Sequence, residues 1–339
     1  MEINNILIEE YNKISKLLNY DFKDCKFLIT GANGLIGSYL VNYLDFIGAE
    51  VYAMSRSINK LKFRFNNNQN IKLIEQDLNE PLTIDDKFDY IIHAASNAHP
   101  LAFSQDPVGT MKANLFGTMN LLELAKRSNS KFLYLSSGEI YGNNIDHDFT
   151  EDDLGVVDTK IARSCYPESK RAAETLCVSY CDQFGIHTNI ARLCYVYGHT
   201  ITDDNSRADT QFLRNALLGK DIVMKSKGAQ RRTYCYVADA VSALLFILLN
   251  GVKSEVYNIA NPNSIATIAQ YAQILANIAK VNLKFELPDE IEKKGYSKQA
   301  DSVLSAQKLI NIGWSPLYDL NVGLENTFKI KKGNRCLKS

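Results

Sequence analysis

From Lys26 onward, short apolar runs alternate with longer stretches whose apolar residues recur every three or four positions. The runs predict strands at 26–30, 50–54, 71–75, 89–94, 131–136 and 187–193. The periodic stretches predict helices at 35–47, 57–66, 105–128 and 166–184. Strands alternating with helices imply an α/β fold, a parallel sheet covered on both faces. Ahead of it, Ile3, Ile6, Leu7, Tyr11, Ile14, Leu17 and Leu18 stand at helical spacing, predicting an amphipathic helix that packs on the main fold. After about residue 195 the pattern loosens into loops, two helices at 209–218 and 238–250, and further short elements. No repeat or low-complexity linker is visible. The expected division is an N-terminal extension over 1–25, a first domain over 26–194 with part of 230–262, and a smaller interwoven α/β domain over 195–229 and 263–330.

Composition narrows the class. With 339 residues and 46% hydrophobic content the chain has ample core. Its 38 basic and 38 acidic residues cancel, which argues against nucleic acid or a membrane surface as partner. No apolar run reaches membrane-spanning length, and Met1–Asn5 lacks the basic start and apolar core of a signal peptide. Cysteines 25, 165, 177, 181, 194, 235 and 336 are scattered, with no C-x-x-C and no histidine at zinc spacing. They read as reduced, mostly buried thiols of a cytoplasmic protein that needs no metal.

The string Phe27-Leu28-Ile29-Thr30-Gly31-Ala32-Asn33-Gly34-Leu35-Ile36-Gly37 reads as strand, tight turn and helix start. Gly31 allows the turn, Gly34 lets backbone approach a pyrophosphate, and Gly37 lets the helix pack closely. The helix N-terminus offers free N–H groups to phosphates. This is the dinucleotide fingerprint of a doubly wound Rossmann sheet, spaced G-x-x-G-x-x-G. Gly31, Asn33, Gly34, Leu35, Ile36 and Gly37 are its expected cofactor contacts. The second strand ends at Ser55-Arg56, where NAD enzymes usually carry an acid for the ribose hydroxyls. A hydroxyl and a guanidinium suit a 2′-phosphate, so NADP(H) is preferred and NAD(H) stays possible. Asp77, just after the third strand, is a candidate for the adenine amino group.

Tyr166 precedes Lys170 by four residues, so a helix turns both to one face. The ammonium is then expected to lower the phenol's pKa and fit it for acid–base work.

These residues together resemble an extended short-chain dehydrogenase/reductase, in the branch that modifies nucleotide-linked sugars. The resemblance runs from about Lys26 to Phe328. It rests on His93-Ala94-Ala95-Ser96, Asn114-Leu115-Phe116-Gly117-Thr118, Leu135 to Gly142, the Tyr166/Lys170 pair, Gln230 to Asp239, and Gly313-Trp314-Ser315-Pro316. The string Arg163 to Arg171 is most similar to UDP-glucuronate decarboxylases. The resemblance implies that Tyr166 exchanges the sugar hydroxyl proton while Lys170 holds the nicotinamide ribose. It implies that Ser137 positions the reacting oxygen and that Glu139 serves carbon-centred steps. It adds Leu78, Ala94, Ala95, Ser96 and Asn114 to the cofactor site, with Asn114 steadying the active-site helix. Arg207 and Arg232, with Tyr195, are the implied nucleotide-sugar contacts, and Tyr234 is a further candidate. Relatives pair through two helices per subunit, so a homodimer through 105–128 and 166–184 is expected, with Leu121, Leu122, Leu124, Leu176 and Val178 available.

Two further departures from the decarboxylase pattern bear on the reaction. Tyr195 replaces the asparagine usual in the family, and Gly138 stands where sugar dehydratases carry an acid. The leading expectation is therefore an NADPH-dependent reductase of a ketone on a CDP- or UDP-linked sugar, used for a surface polysaccharide precursor. The alternative is a UDP-glucuronate decarboxylase-like or epimerase enzyme with a redox-neutral cycle. A non-catalytic NADP sensor is a third reading, set against the presence of both Tyr166 and Lys170.

Overall fold

Uninterrupted apolar runs belong to strands buried on both faces. In the computed structural model, which describes residues 2–65, 68–98, 100–142, 147–202, 205–286 and 301–336, that is where they lie. The chain opens with α1 (Glu2–Leu18) and enters β1 (Lys26–Thr30), α2 (Leu35–Phe46), β2 (Glu50–Ser55), α3 (Ile58–Phe65), β3 (Ile71–Glu75) and β4 (Tyr90–His93). There follow α4 (Pro100–Gln105), α5 (Pro107–Ser128), β5 (Lys131–Ser137), α6 (Cys165–Phe184), β6 (Thr188–Leu193), β7 (Tyr195–Tyr197), α7 (Ala208–Leu217) and β8 (Ile222–Met224). The last part holds β9 (Arg231–Tyr236), α8 (Val237–Asn250), β10 (Val256–Ile259), β11 (Ile265–Thr267), α9 (Ile268–Ala279), β12 (Leu283–Phe285), α10 (Gln307–Asn311) and α11 (Leu320–Cys336).

Seven strands form one sheet in the order β10-β6-β5-β4-β1-β2-β3, with every pair parallel. The order reverses at β1 and β4, which opens a crevice at their carboxyl ends, the usual ligand position in such sheets. A three-stranded sheet (β11-β9-β7) and a two-stranded one (β12-β8) lie beyond it. The expected second domain also runs across 287–300, which lies outside the described residues.

The structure differs locally from the expectations in three places. The helix predicted at 105–128 is broken at Asp106. Pro107 disfavours helical geometry in the residue before it, and the Asp106 side chain accepts the Gly109 N–H at 2.8 Å as an N-cap. Leu121, Leu122 and Leu124 are buried in the core between α5, α6 and the sheet, and Leu176 is partly buried against it. Of the five apolar positions expected to face a second subunit, only Val178 is exposed. Finally, α9 and α11 are full helices where only short elements were expected.

Helix α1 does pack on the domain, burying Tyr11, Ile14 and Leu18. It also buries a carboxyl group. Glu10 accepts hydrogen bonds from Tyr39 (2.9 Å), Tyr236 (2.7 Å) and Asn326 (3.1 Å), tying α1 to α2, β9 and α11. Burial raises its pKa.

Candidate active site

The sequence placed a tight turn after β1, and Gly31 has the left-handed backbone it requires, with φ at 64°. A Cβ on Gly31 would stand 2.7 Å from the Ala94 carbonyl oxygen, and one on Gly37 would stand 2.4 Å from that of Gly31. Gly34 meets only the Gly31 oxygen, at 3.2 Å, so the space above the turn and the α2 N-terminus stays open. That open cradle of backbone N–H groups fits a pyrophosphate.

The turn forms one end of a cavity of about 1130 Å³. Gly31, Asn33, Gly34, Leu35, Ile36, Gly37, Arg56, Ala94 and Ser96 line that end, and Ser137, Glu139, Tyr166, Lys170, Tyr195, Arg207, Arg232 and Tyr234 line the other. Nine lysines and arginines face it against two carboxylates, Glu139 and Asp209, among the described residues. A cavity so biased favours multiply charged anions.

Five expected cofactor residues do not line it. Ser55 turns its hydroxyl to the Ser57 carbonyl (3.1 Å). Asp77 accepts the Asn79 N–H (3.0 Å) in an exposed turn. Leu78 is packed into the core, and Ala95 is held by its N–H on the Thr30 hydroxyl at 3.2 Å. Asn114 is buried between Ser96 (2.8 Å) and Ser169 (2.9 Å), so it braces α5 against α6 and the β4 exit loop.

At the chemical end, Tyr166 and Lys170 leave α6 on one face, as the spacing required. The ammonium, however, does not meet the phenol. It donates to the Leu135 carbonyl at 2.7 Å and lies 4.7 Å from the centre of the Tyr134 ring, against 5.9 Å for Tyr166. Burial dominates both groups. It raises the Tyr166 pKa, with Glu139 adding to the rise and Ser137, Arg163 and Arg207 opposing it. It pushes Lys170 down to about 7, opposed by Glu174. The expected lowering of the phenol by Lys170 is thus absent, and Ser137 and two arginines take that part.

Arg163 is the main residue that sequence reasoning missed. Its guanidinium reaches Glu139 at 2.7 Å and lies 4.1 Å from the Phe103 ring centre. Phe103 in turn stacks on Tyr166 at 5.3 Å. Arg163 stood in the quoted string, but nothing local shows that the chain brings Phe103 and Glu139 to it. The substrate arginines are engaged too. Arg207 donates through both ends of its fork to Asp209 and to the Val196 carbonyl (2.9 Å). Arg232 lies 4.1 Å from the centre of the Tyr195 ring, and Tyr234 stacks on Tyr271 at 4.6 Å. Behind the site His93 is neutral, its pKa pushed down to about 3 by burial and by Lys170. Its Nδ1 pairs with the Thr30 hydroxyl at 2.9 Å.

A phosphate-cradling turn at the crevice of a doubly wound sheet, with a Tyr/Lys pair at its far end, is the arrangement of an extended short-chain dehydrogenase/reductase enzyme. A model of the NAD dependent epimerase/dehydratase family matches residues 27–260, and the chain belongs to that family. It is 34% identical over 330 residues to a UDP-glucuronic acid decarboxylase of Arabidopsis thaliana, covering 94% of each chain. It is 32% identical to one of Danio rerio over 324 residues, 95% of this chain and 75% of the relative. Among solved structures, an epimerase from Methanothermobacter thermautotrophicus superposes with a TM-score of 0.84 at 19% identity, covering 96% and 97% of the two chains. A UDP-glucose 4-epimerase from Thermotoga maritima gives 0.78 at 23%, covering 91% and 99%. The family and nucleotide-sugar expectations are borne out, and the relatives favour the redox-neutral alternative over the ketone reductase.

Proposed function

We propose that this protein decarboxylates a UDP-linked hexuronate, or closely related acid, in a redox-neutral cycle. The observation that carries the reading is the Glu139–Arg163 pair (2.7 Å) set beside Tyr166. It joins a carboxyl group and a guanidinium where, in this reading, a uronate's own carboxylate is accommodated and lost. A nicotinamide, when bound, supplies the acceptor and later donor of hydride. Tyr166 takes the proton from the sugar hydroxyl, and Ser137 orients that oxygen. Lys170 fixes the ribose side of the site. Arg207, already steadied by Asp209, and Arg232 face the diphosphate. Dehydration is disfavoured by space as well as by chemistry. A Cβ at Gly138 would stand 3.0 Å from the end of the Leu304 side chain, so an acid there would require that side chain to shift.

In this reading residues 26–194, with part of 230–262, hold the cofactor, while 195–229 and 263–330 hold the substrate. Arg56 in place of an acid supports NADP(H) over NAD(H), and the same residue keeps an NADPH-dependent keto-sugar reductase as the second reading. The active form is a homodimer. Two measurements decide. The dinucleotide released on denaturing fresh protein is identified by mass, and UDP-glucuronate turnover is followed for carbon dioxide and UDP-pentose or its 4-keto form. Absence of both products from protein that binds its dinucleotide would overturn the decarboxylase. Oxidation of NADPH with a nucleotide keto-sugar would then install the reductase.

A further inference from the structure

Tyr166, Lys170 and Glu174 recur every four residues along α6, so they share one face of the helix, and all three are buried. That face lies on the end of β5, where three successive residues meet it. Ser137 stands beside the Tyr166 phenol, the Leu135 carbonyl accepts from the Lys170 ammonium at 2.7 Å, and the Ser136 hydroxyl donates to Glu174. Tyr166 and Lys170 line the cavity, whereas Glu174 stands one helical turn behind Lys170 and outside it. Its carboxyl group is clamped a second time. Arg192 of β6 donates from Nε to both oxygens (3.2 and 3.3 Å) and from Nη2 to Oε2 (2.8 Å). The remaining nitrogen, Nη1, reaches the Tyr141 hydroxyl and the Glu151 carbonyl, both at 3.0 Å, and Tyr141 in turn donates to Asn258 at 2.7 Å. Ser136, Arg192 and Asn258 are direct partners in register across β5, β6 and β10. A polar row thus crosses three strands of the sheet and ends on the face of α6 that carries the chemistry.

Tethering alone does not call for charge, because apolar side chains of similar volume often hold such a contact as well as a buried ion pair. What an apolar contact lacks is a field on Lys170. Around that ammonium stand Tyr166, Glu174 and Cys177 of α6, Tyr134 of β5 and His93 of β4, with Arg192 behind Glu174. Helix α5 packs here through Asn114 and Thr118, which carry no charge. Burial keeps the two tyrosines and Cys177 protonated and His93 neutral. Glu174 is the largest influence favouring the ammonium against burial. We propose that Glu174 is a positioning residue: clamped by Arg192 and Ser136, it is the counter-ion that keeps Lys170 charged and aimed at the ribose hydroxyls of a bound dinucleotide. With one proton on the Leu135 carbonyl, the ammonium has its other donors left for that ribose. The role deepens the reading in which Lys170 holds the ribose, and it rests on that reading.

Fluorescence titration of the full-length protein with NADH and with NADPH, from about pH 5 to about pH 9, reads the ammonium without any sugar. Lys170→Met sets the baseline, and affinity is compared with it at each pH. Only the protonated lysine donates fully to the ribose, so the wild-type advantage is complete below about 7 and falls as pH rises through that value. Glu174→Gln keeps the size of the side chain but removes what favours the ammonium. The fall is then expected about one pH unit lower, with affinity near wild type at the acid end. Glu174→Gln with Arg192→Met removes both charges, so no unpaired guanidinium is left to threaten the fold, and its fall is also expected below the wild-type pH. A fall left at its wild-type pH in both variants, or an affinity loss equal at every pH, would overturn the role of Glu174 and leave it a strut between α6 and the sheet. Equal affinity of wild type and Lys170→Met at every pH would overturn the ribose role of Lys170 as well. No sugar or turnover enters the experiment, so its result stands apart from the decarboxylase test.

Discussion

Tyr166 sits in a site that makes its phenol a weaker acid, and the neighbours that oppose burial are the ones worth changing. Tyr166→Phe is expected to lower kcat by about 10²- to 10⁴-fold while leaving dinucleotide affinity near wild type, because only the proton path is lost. Steady-state kinetics beside a binding titration checks both halves. Arg163 makes a subtler case. It holds Glu139 and offsets that carboxylate's field on the phenol, so Arg163→Met leaves Tyr166 with one cation fewer. The expected outcome is an acidic limb of the kcat/KM pH profile shifted to higher pH, with Arg163→Lys in between. An unshifted limb would reduce Arg163 to a packing residue on Phe103. The glycine turn and the Tyr/Lys pair were legible because each depends on residues adjacent in the chain or one helical turn apart. Arg163 and Asp209 were not, because their partners are chosen by how α4, the β5 exit and α7 meet. The Arg207–Asp209 pair lies within one short string, yet no periodicity marks it as facing a cavity.

At the scale of elements, the alternation of strand and helix to residue 193 was legible nearly to the residue, since a parallel sheet buries its strands completely and each helix on one side. The region beyond was not. Helix α9 announces itself only by the Thr267/Gln270 capping box, and α11 mixes its apolar positions with lysines and asparagines. Helix α1 was legible as amphipathic, but its buried Glu10 was not, because three donors from three other elements make that burial tolerable. Glu10→Ala strands the hydroxyls of Tyr39 and Tyr236 and is expected to cost on the order of 3 kcal/mol, with Glu10→Gln costing less. Denaturant midpoints give the comparison. A second buried carboxyl sets a pH dependence. Burial raises Asp239, on α8, to about 7, against the donated N–H of Leu317 at 2.6 Å. A carboxyl raised in the folded state contributes stability that is complete below its unfolded value near 4 and is lost as pH climbs to about 7. Asp239→Asn should remove that fall, so the wild type loses stability relative to the variant between pH 4 and 7. Parallel melting curves in that window are the check.

Among the described residues, the outer side of the α5–α6 pair carries apolar side chains that the core does not use. Val108 (64% exposed), Met111 (39%), Phe116 (45%) and Met119 (40%) project from one side of α5, and Val178 (42%) stands on the neighbouring α6. The leucines first read as the contact surface face inward because the α5–α6 pair must also cover the sheet. A helix covered on one side leaves its remaining stripe for another partner, and that stripe is where these side chains fall. In the homodimer proposed above, a two-fold arrangement would set α5 and α6 of one subunit against the same pair of its copy, burying each residue against its own kind or a neighbour. No helix among the described residues is long and apolar enough to cross a membrane. The consequence is specific. Met111→Glu with Phe116→Glu places two like charges per subunit at the centre of that contact and should turn a dimer into a monomer. Neither side chain belongs to the core, so the melting midpoint of the isolated subunit is expected to change little. Equilibrium sedimentation at micromolar concentration reads the mass directly. A wild-type monomer, or a dimer that survives both substitutions, would move the contact elsewhere. Because α6 carries Tyr166 and α5 carries Asn114, a genuine interface here would also stiffen the catalytic helix, and the monomeric variant would then lose kcat more than it loses dinucleotide affinity.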